Sequence, residues 1–348
     1  MSDPPPPPPG PDPPRGTPHD LLLREVFSDP AQAMTLFRLV LPEQVVARVD
    51  PTSVRLEPGW FVDELGERAS DLLFEVRLDG RSALIYVLIE HQSTVRRWLL
   101  LRLGHFVRRI WVGWQRRQPG PRRRGRRLPP VLPLILYQGR RWTAPRRLID
   151  LVDLDFSPDV ASLLERHQLQ HEPLLHQLGA HELQDLLARL QGPALGRLTL
   201  VVLWAGREGR DMVAAWVEAG DLVPAALAED AERFWMVFRY VGRVGGERVA
   251  RRVSAEMSRQ HGAGVEAQFR SYEDALRTEG RAEGRAEGQC EVLIRFLRNR
   301  LGPDADRFVA PLQAASVETL GRVVELLAPP GSDEQLRRGL ESLLAPEA

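Results

Sequence analysis

Two acids and an amide stand at the outer ends of what reads as one β-hairpin. Asp71 opens DLLFEVRL, Glu90 and Gln92 close RSALIYVLIEHQS, and Asp79-Gly80 lies between the two runs. Asp-Gly between apolar runs is a strong short-range signal for a two-residue turn. A turn centred between Asp79 and Gly80 sets Asp71 opposite Leu88. Strand side chains alternate with a period of two, so Leu88, Glu90 and Gln92 share one face and His91 points to the other. Asp71 and Glu90 are then diagonal neighbours, with backbones roughly 7–8 Å apart. Two carboxylates at that spacing can converge on one divalent cation, Mg²⁺ or Mn²⁺. Mg²⁺ is a hard cation that prefers carboxylate and water oxygens. Such an ion polarises a phosphate and lowers the pKa of an attacking water, which is what phosphodiester hydrolysis requires. Gln92 would orient that water. The alternative is an acid pair on a solvated hairpin edge. Both runs are nearly continuous in apolar residues, as strands covered on both faces are. A buried carboxylate without a partner is costly, which favours a shared ligand.

Other polar residues have weaker claims. Asp63 and Glu64 in FVDEL could assist a second metal, or pair with Arg68. Asp20 and Glu25 fall on a first helix, where Asp20 could supply an auxiliary acid or simply favour the helix N-terminus. Seven arginines lie between Arg116 and Arg127. Of these, Arg116, Arg117, Arg122, Arg123 and Arg124 are candidate contacts for DNA phosphates, since guanidinium bonds them bidentately, and a solvated loop is the alternative. Trp98, Trp111 and Trp114 are expected to pack their helix rather than stack on bases. His167, His171, His176 and His181 resemble a metal cluster only superficially, because the first pair alone has helical i, i+4 spacing and no cysteine accompanies them.

The elements that must position the hairpin can be read on either side of it. HDLLLREVFSDPAQAMTLFRLVLP (19–42) carries apolar residues at helical spacing in two short helices. Ser28-Asp29-Pro30 ends the first and caps the second. VRRWLLLRLGHFVRRIWVGWQRR (95–117) predicts a long amphipathic helix and VLPLILYQG (131–139) a buried strand. Helix, hairpin, helix, strand implies an α/β core with a small mixed sheet of three or four strands, flanked by helices. Beyond about residue 158 the spacing predicts helices near 159–191, 193–206, 210–228 and 229–261, an all-α second half. The organisation expected is a proline-rich disordered tail (1–18), a core (19–155), a helical region (156–272), a Glu-Gly-Arg-Ala repeat (273–290) and a small helical domain (291–348). Each repeat glycine costs a helix about 1 kcal/mol against alanine, and each Glu–Arg pair returns only ~0.2–0.5 kcal/mol. The repeat is therefore either a flexible linker or a helix that packs against another copy, making a homo-oligomer.

Composition sets outer bounds. The 348 residues include 47 arginines and no lysine, against 47 acids, so net charge is zero and any nucleic-acid surface must be a local patch. No run approaches the ~18–20 apolar residues of a membrane-spanning helix, so no membrane role is expected. Cys290 is the single cysteine, which excludes an intrachain disulfide and fits a reducing cytoplasm.

Taken as a set, HDLLLREVFSDP, FVDELGERASDLLFEV, ALIYVLIEHQS, the arginine-rich helix and VLPLILYQG resemble the recombination-promoting nuclease family, also called YhgA-like putative transposases, over about residues 19–155. That resemblance implies a restriction-endonuclease-like core of the PD-(D/E)xK superfamily and a metal-dependent DNA endonuclease linked to recombination, mobile elements or phage. A regulatory partner protein would fit the same setting. It gives Asp71 and Glu90 the metal-binding acids and puts Gln92 where the superfamily has lysine. Gln138 departs from the family, which often has histidine after the tyrosine. The C-terminal segment resembles a small helical domain often attached to such nucleases. The contrasting expectation is a non-catalytic DNA-binding or assembly protein on a degenerate nuclease scaffold.

Overall fold

A computed structural model describes residues 17–57, 72–90, 97–117, 127–207, 209–327 and 332–344. Its centre is a five-stranded mixed sheet in the order β1-β2-β3-β4-β5. The strands are β1 (Arg55–Leu56), β2 (Leu72–Leu78), β3 (Arg81–Glu90), β4 (Val131–Tyr137) and β5 (Leu174–Gln177). β1, β2 and β3 pair antiparallel, while β4 and β5 continue the sheet in parallel. Asp79 and Gly80 both have positive φ, 49° and 74°, the condition for a type I′ hairpin turn. The register is the one the turn predicts, running from Leu72 opposite Val87 to Leu78 opposite Arg81.

The sheet is covered on both faces, as its unbroken apolar runs require. One face carries Leu84, Tyr86, Leu88, Ile135 and Tyr137 and packs on helix α3 (Leu99–Arg117) through Leu99, Leu103, Phe106 and Ile110. The other carries Phe74, which meets Phe37 edge-on at 5.3 Å. Phe37 belongs to α2 (Pro30–Val40), which follows α1 (Pro18–Phe27) after a two-residue break. Asp29 caps α2, accepting bonds from the Ala31 and Gln32 amides at 2.8 and 3.3 Å, with Pro30 in the first turn.

Two expectations are corrected. The sheet has five strands rather than three or four, and the stretch 159–191 is not all helix. After α4 (Pro158–Arg166) the chain forms β5, and helix resumes only at α5 (Leu183–Arg189). β5 has four residues and draws its stability from pairing with β4, a tertiary partner invisible to local periodicity. Trp111 packs as expected, its indole N–H donating to the Pro129 carbonyl at 2.9 Å, but Trp98 is 57% exposed.

Beyond the sheet, α6 (Ala194–Ala205), α7 (Met212–Ala219), α8 (Leu222–Glu229), α9 (Ala231–Gly245) and α10 (Glu247–His261) form a helical layer. Trp216 is fully buried there, edge-on to Phe234 and Phe238 at 6.0 Å. Polar contacts tie this layer to α2 and its own helices to one another. The Gln32 carboxamide oxygen accepts from the Gly196 amide at 2.7 Å, and the Glu229 carboxylate accepts from Ala194 N at 2.8 Å. An anion at the first turn of α6 is where the helix dipole favours one.

The chain divides into compact units at residues 1–266 and 267–348. The boundary falls in the first turn of α11 (Ala263–Leu301), a helix that runs through the whole Glu-Gly-Arg-Ala repeat. The second unit adds α12 (Val317–Leu327) and α13 (Asp333–Leu343). Leu297, Phe308, Leu312, Val323 and Leu340 form its own core, and Gly302, at φ 62°, ends α11. Among the described residues no helix is long and apolar enough to cross a membrane.

Candidate functional site

The three parallel strands end together. Glu90 closes β3 with its backbone paired to Tyr137, the last residue of β4, and Tyr137 pairs with Gln177, the last residue of β5. The carboxyl ends of parallel strands are where open α/β sheets bind ligands. Glu90 therefore stands at the expected edge, although its side chain lies outside the described residues. So do Asp71, Gln92, Asp63, Glu64, Arg122, Arg123 and Arg124. The described β2 begins at Leu72, the residue after Asp71.

The His-Asp pair that opens α1 is tied into the fold by hydrogen bonds. Asp20 is 2% exposed and closes a capping box with Thr17. Its Oδ2 accepts from the Thr17 amide and the Thr17 hydroxyl, both at 2.9 Å, while the Asp20 amide donates back to Thr17 Oγ1 at 3.4 Å. His19 Nδ1 lies 2.7 Å from the Tyr240 hydroxyl on α9, with the rings edge-on at 5.3 Å. Burial pushes the Tyr240 phenol up, so it stays neutral at physiological pH and can donate that bond. Glu25 is exposed. Arg116 and Arg117 form the last turn of α3, and Arg117 pairs with Glu57.

Among the described residues, His167, His171, His176 and His181 form no ligand cluster of three. His167 is exposed. His176 on β5 stacks on His181 at 5.1 Å, and burial, with the charges of His181 and Arg189, lowers its pKa to about 4. Among the described residues no group of three or more His, Cys, Asp or Glu could hold a metal.

A cavity of about 370 Å³ opens just past β4, lined by Tyr137, Gln138, Arg140, Arg141, Arg207 and Arg210 among others. Local sequence does not reveal it, because its two arginine pairs lie almost seventy residues apart in a chain rich in arginine throughout. In the sequence Gln138 stands out only as a departure from the family pattern.

Comparison with known proteins places these features. Over 194 residues the chain is 29% identical to recombination-promoting nuclease RpnD of Escherichia coli O157:H7, covering 50% of this chain and 73% of that protein. It is 32% identical over 124 residues to recombination-promoting nuclease RpnA of Escherichia coli K12, covering 35% of this chain and 40% of the relative. It is 30% identical over 149 residues to RpnE of the same strain, named an inactive recombination-promoting nuclease-like protein, covering 42% and 48%. Against RpnA and RpnE the match thus spans less than half of the relative's length. No solved structure matches the chain. The family model described as putative transposase, YhgA-like, matches residues 17–226, from the cap of α1 through the sheet to α8, and the chain belongs to that family.

Proposed function

We propose that this protein is a metal-dependent DNA endonuclease whose centre is Asp71, Glu90 and Gln92. The observation that carries the proposal is the hairpin register. Leu72 opposite Val87 is the pairing from which the shared-face argument for Asp71 and Glu90 starts. Strand alternation assigns position 90 to the face of Leu84, Tyr86 and Leu88, at the carboxyl edge of the parallel strands. Relatives named as recombination-promoting nucleases support the reaction class and DNA as substrate.

The donor set suits magnesium or manganese, because two carboxylates and an amide offer only hard oxygens. Asp71 and Glu90 would hold the ion. When bound, it supplies positive charge to the phosphate oxygens and acidifies water. Gln92 is neutral, so it orients a water by hydrogen bonding and adds no charge, unlike the lysine of the wider superfamily. The buried apolar residues Leu88 and Tyr137 leave this end of the sheet a low-dielectric setting in which charge–charge attraction is stronger than in water.

A second reading has a specific observation behind it. RpnE, named inactive, is 30% identical to this chain, and RpnD, named a nuclease, is 29% identical, so overall identity does not separate a cleaving member from a scaffold. Supercoiled plasmid incubated with the full chain and Mg²⁺ or Mn²⁺ separates them. The enzyme nicks or linearises plasmid, and EDTA abolishes it. DNA binding without cleavage under either metal sinks the catalytic proposal and leaves the scaffold.

A further inference from the structure

We infer that the arginine-lined cavity past β4 is a phosphate subsite that seats one nucleotide unit beside the proposed cleavage centre. Its clearest mark is Gln138. This side chain is 1% exposed, and among the described residues neither its Nε2 nor its Oε1 has a hydrogen-bond partner. A buried carboxamide left unpaired is costly, so such groups usually have a partner that forms part of the working molecule. The partner assigned to it is a ligand in the cavity that Gln138 lines, which the carboxamide meets by turning out of its solvent-inaccessible position.

Charge defines that ligand. Arg140, Arg141, Arg207 and Arg210 converge on the cavity, and among the described residues no acidic side chain lines it. Arg210 is held rigidly. Its guanidinium donates to the carbonyls of Gly179 and Trp204 and stacks 3.8 Å from the Trp204 ring centroid. Burial first, then the charges of Arg140 and Arg207, lower its pKa to about 10, with Glu182 opposing, so it remains cationic at neutral pH. Like charges gathered at one cavity raise the cost of the empty state, and an anion relieves it. Guanidinium forks match phosphate oxygens bidentately, and carboxamides carry the donor and acceptor that a base edge or sugar hydroxyl can use. A volume of about 370 Å³ exceeds a lone phosphate and falls in the range of small-ligand sites.

The backbone holds the cavity's floor in place. A Cβ on Gly179 would lie 2.2 Å from the Gln138 carbonyl oxygen, so the chain just past β5 rests directly on the chain just past β4. Tyr137, which lines the same cavity, is the register partner of Glu90. The nucleic-acid source of the phosphate rests on the nuclease reading; the anion chemistry does not.

The test measures binding of the full chain in EDTA, where no cleavage occurs. The probes are a fluorescent 5′-phosphorylated single-stranded oligonucleotide, followed by anisotropy across a salt series, and adenosine monophosphate, followed by thermal shift. Arg140→Gln with Arg141→Gln is expected to weaken oligonucleotide binding about tenfold or more. The salt slope should flatten by about 1.4, at ~0.7 for each phosphate no longer neutralised. Gln138→Leu is expected to weaken binding while keeping or raising Tm, because it removes an unpaired buried amide. A purely structural glutamine would give the opposite, a lower Tm with binding intact. Unchanged affinity and salt slope in the arginine double variant, or a destabilised Gln138→Leu that binds like wild type, overturns the subsite. If adenosine monophosphate raises the wild-type Tm and Gln138→Leu loses that shift, the subsite takes free nucleotide as well as strand. A wild type that binds but never cleaves with metal removes the nuclease reading alone. Variants that bind as wild type does, in a chain that cleaves, remove the subsite alone.

Discussion

Asp20 is a site where a cap and an auxiliary catalytic acid make different predictions, and the geometry gives the size of the first. Its carboxylate accepts two 2.9 Å bonds from Thr17, and its amide returns a weaker one at 3.4 Å. Losing a capping side chain costs about 1 kcal/mol, and losing a negative charge from the first turn costs about 0.3–1 kcal/mol more. Asp20→Ala should therefore destabilise the first unit by about 2 kcal/mol. For a domain of this size that lowers Tm by roughly 4–8 °C. Thr17→Ala should lower it by about half as much. The double variant should fall short of the sum by about 1 kcal/mol, since both single changes break the same box. Circular dichroism melts of the four proteins give the cycle, and plasmid cleavage well below Tm gives activity. The capping account expects residual activity within about twofold of wild type once folded fraction is equal, since a broken cap changes stability rather than chemistry. An Asp20→Ala protein that melts like wild type yet cleaves at least about a hundredfold more slowly refutes the reasoning and returns Asp20 to the catalytic set.

Two further predictions rest on single residues. His176 has a folded pKa near 4 against an ordinary value of 6.5, so its neutral form stabilises the fold fully above pH 6.5, and that contribution disappears as pH falls toward 4. The amount is at most about 3 kcal/mol. Urea melts from about pH 7 to 4.5 should show His176→Leu losing less stability on acidification than wild type, and parallel curves would contradict the burial argument. At Gly196 a Cβ would lie 2.8 Å from the Gln32 carboxamide oxygen and 3.0 Å from Thr35 Oγ1, and both side chains are buried. Gly196→Val should then cost about 2–3 kcal/mol by overpacking, read as a lower urea midpoint at unchanged slope, and no change in midpoint would show that α2 and α6 can separate freely.

What could be read from the sequence follows from how locally each element is determined. Asp79-Gly80 fixes the turn and hence the hairpin register, because both positions must take positive φ and few other pairs do so readily. Asp29-Pro30 fixes the start of α2 in the same way, through its own side chain and ring. β1, with two residues, and β5, with four, leave too little pattern to read, and each exists through its neighbour in the sheet. The continuous helix of α11 runs against the glycine cost of its repeat. The arginine cavity is hidden for a different reason. Arg140 and Arg141 reach it from one end of the sheet and Arg207 and Arg210 from the end of α6, a convergence made only by the fold. The candidate metal acids are visible because a hairpin converts sequence distance into spatial distance by rule.

The most direct measurement of the central claim is the single-turnover cleavage rate of wild type, Asp71→Ala and Glu90→Ala on the same plasmid in Mg²⁺, with melts and EDTA-phase DNA binding for each. Metal-held chemistry at this pair predicts wild-type cleavage that falls at least about a hundredfold in each variant, a loss of about 2.7 kcal/mol of transition-state stabilisation, while binding persists. Folded variants that bind DNA and cleave it at the wild-type rate would contradict the account, because the reacting centre would then lie away from the hairpin.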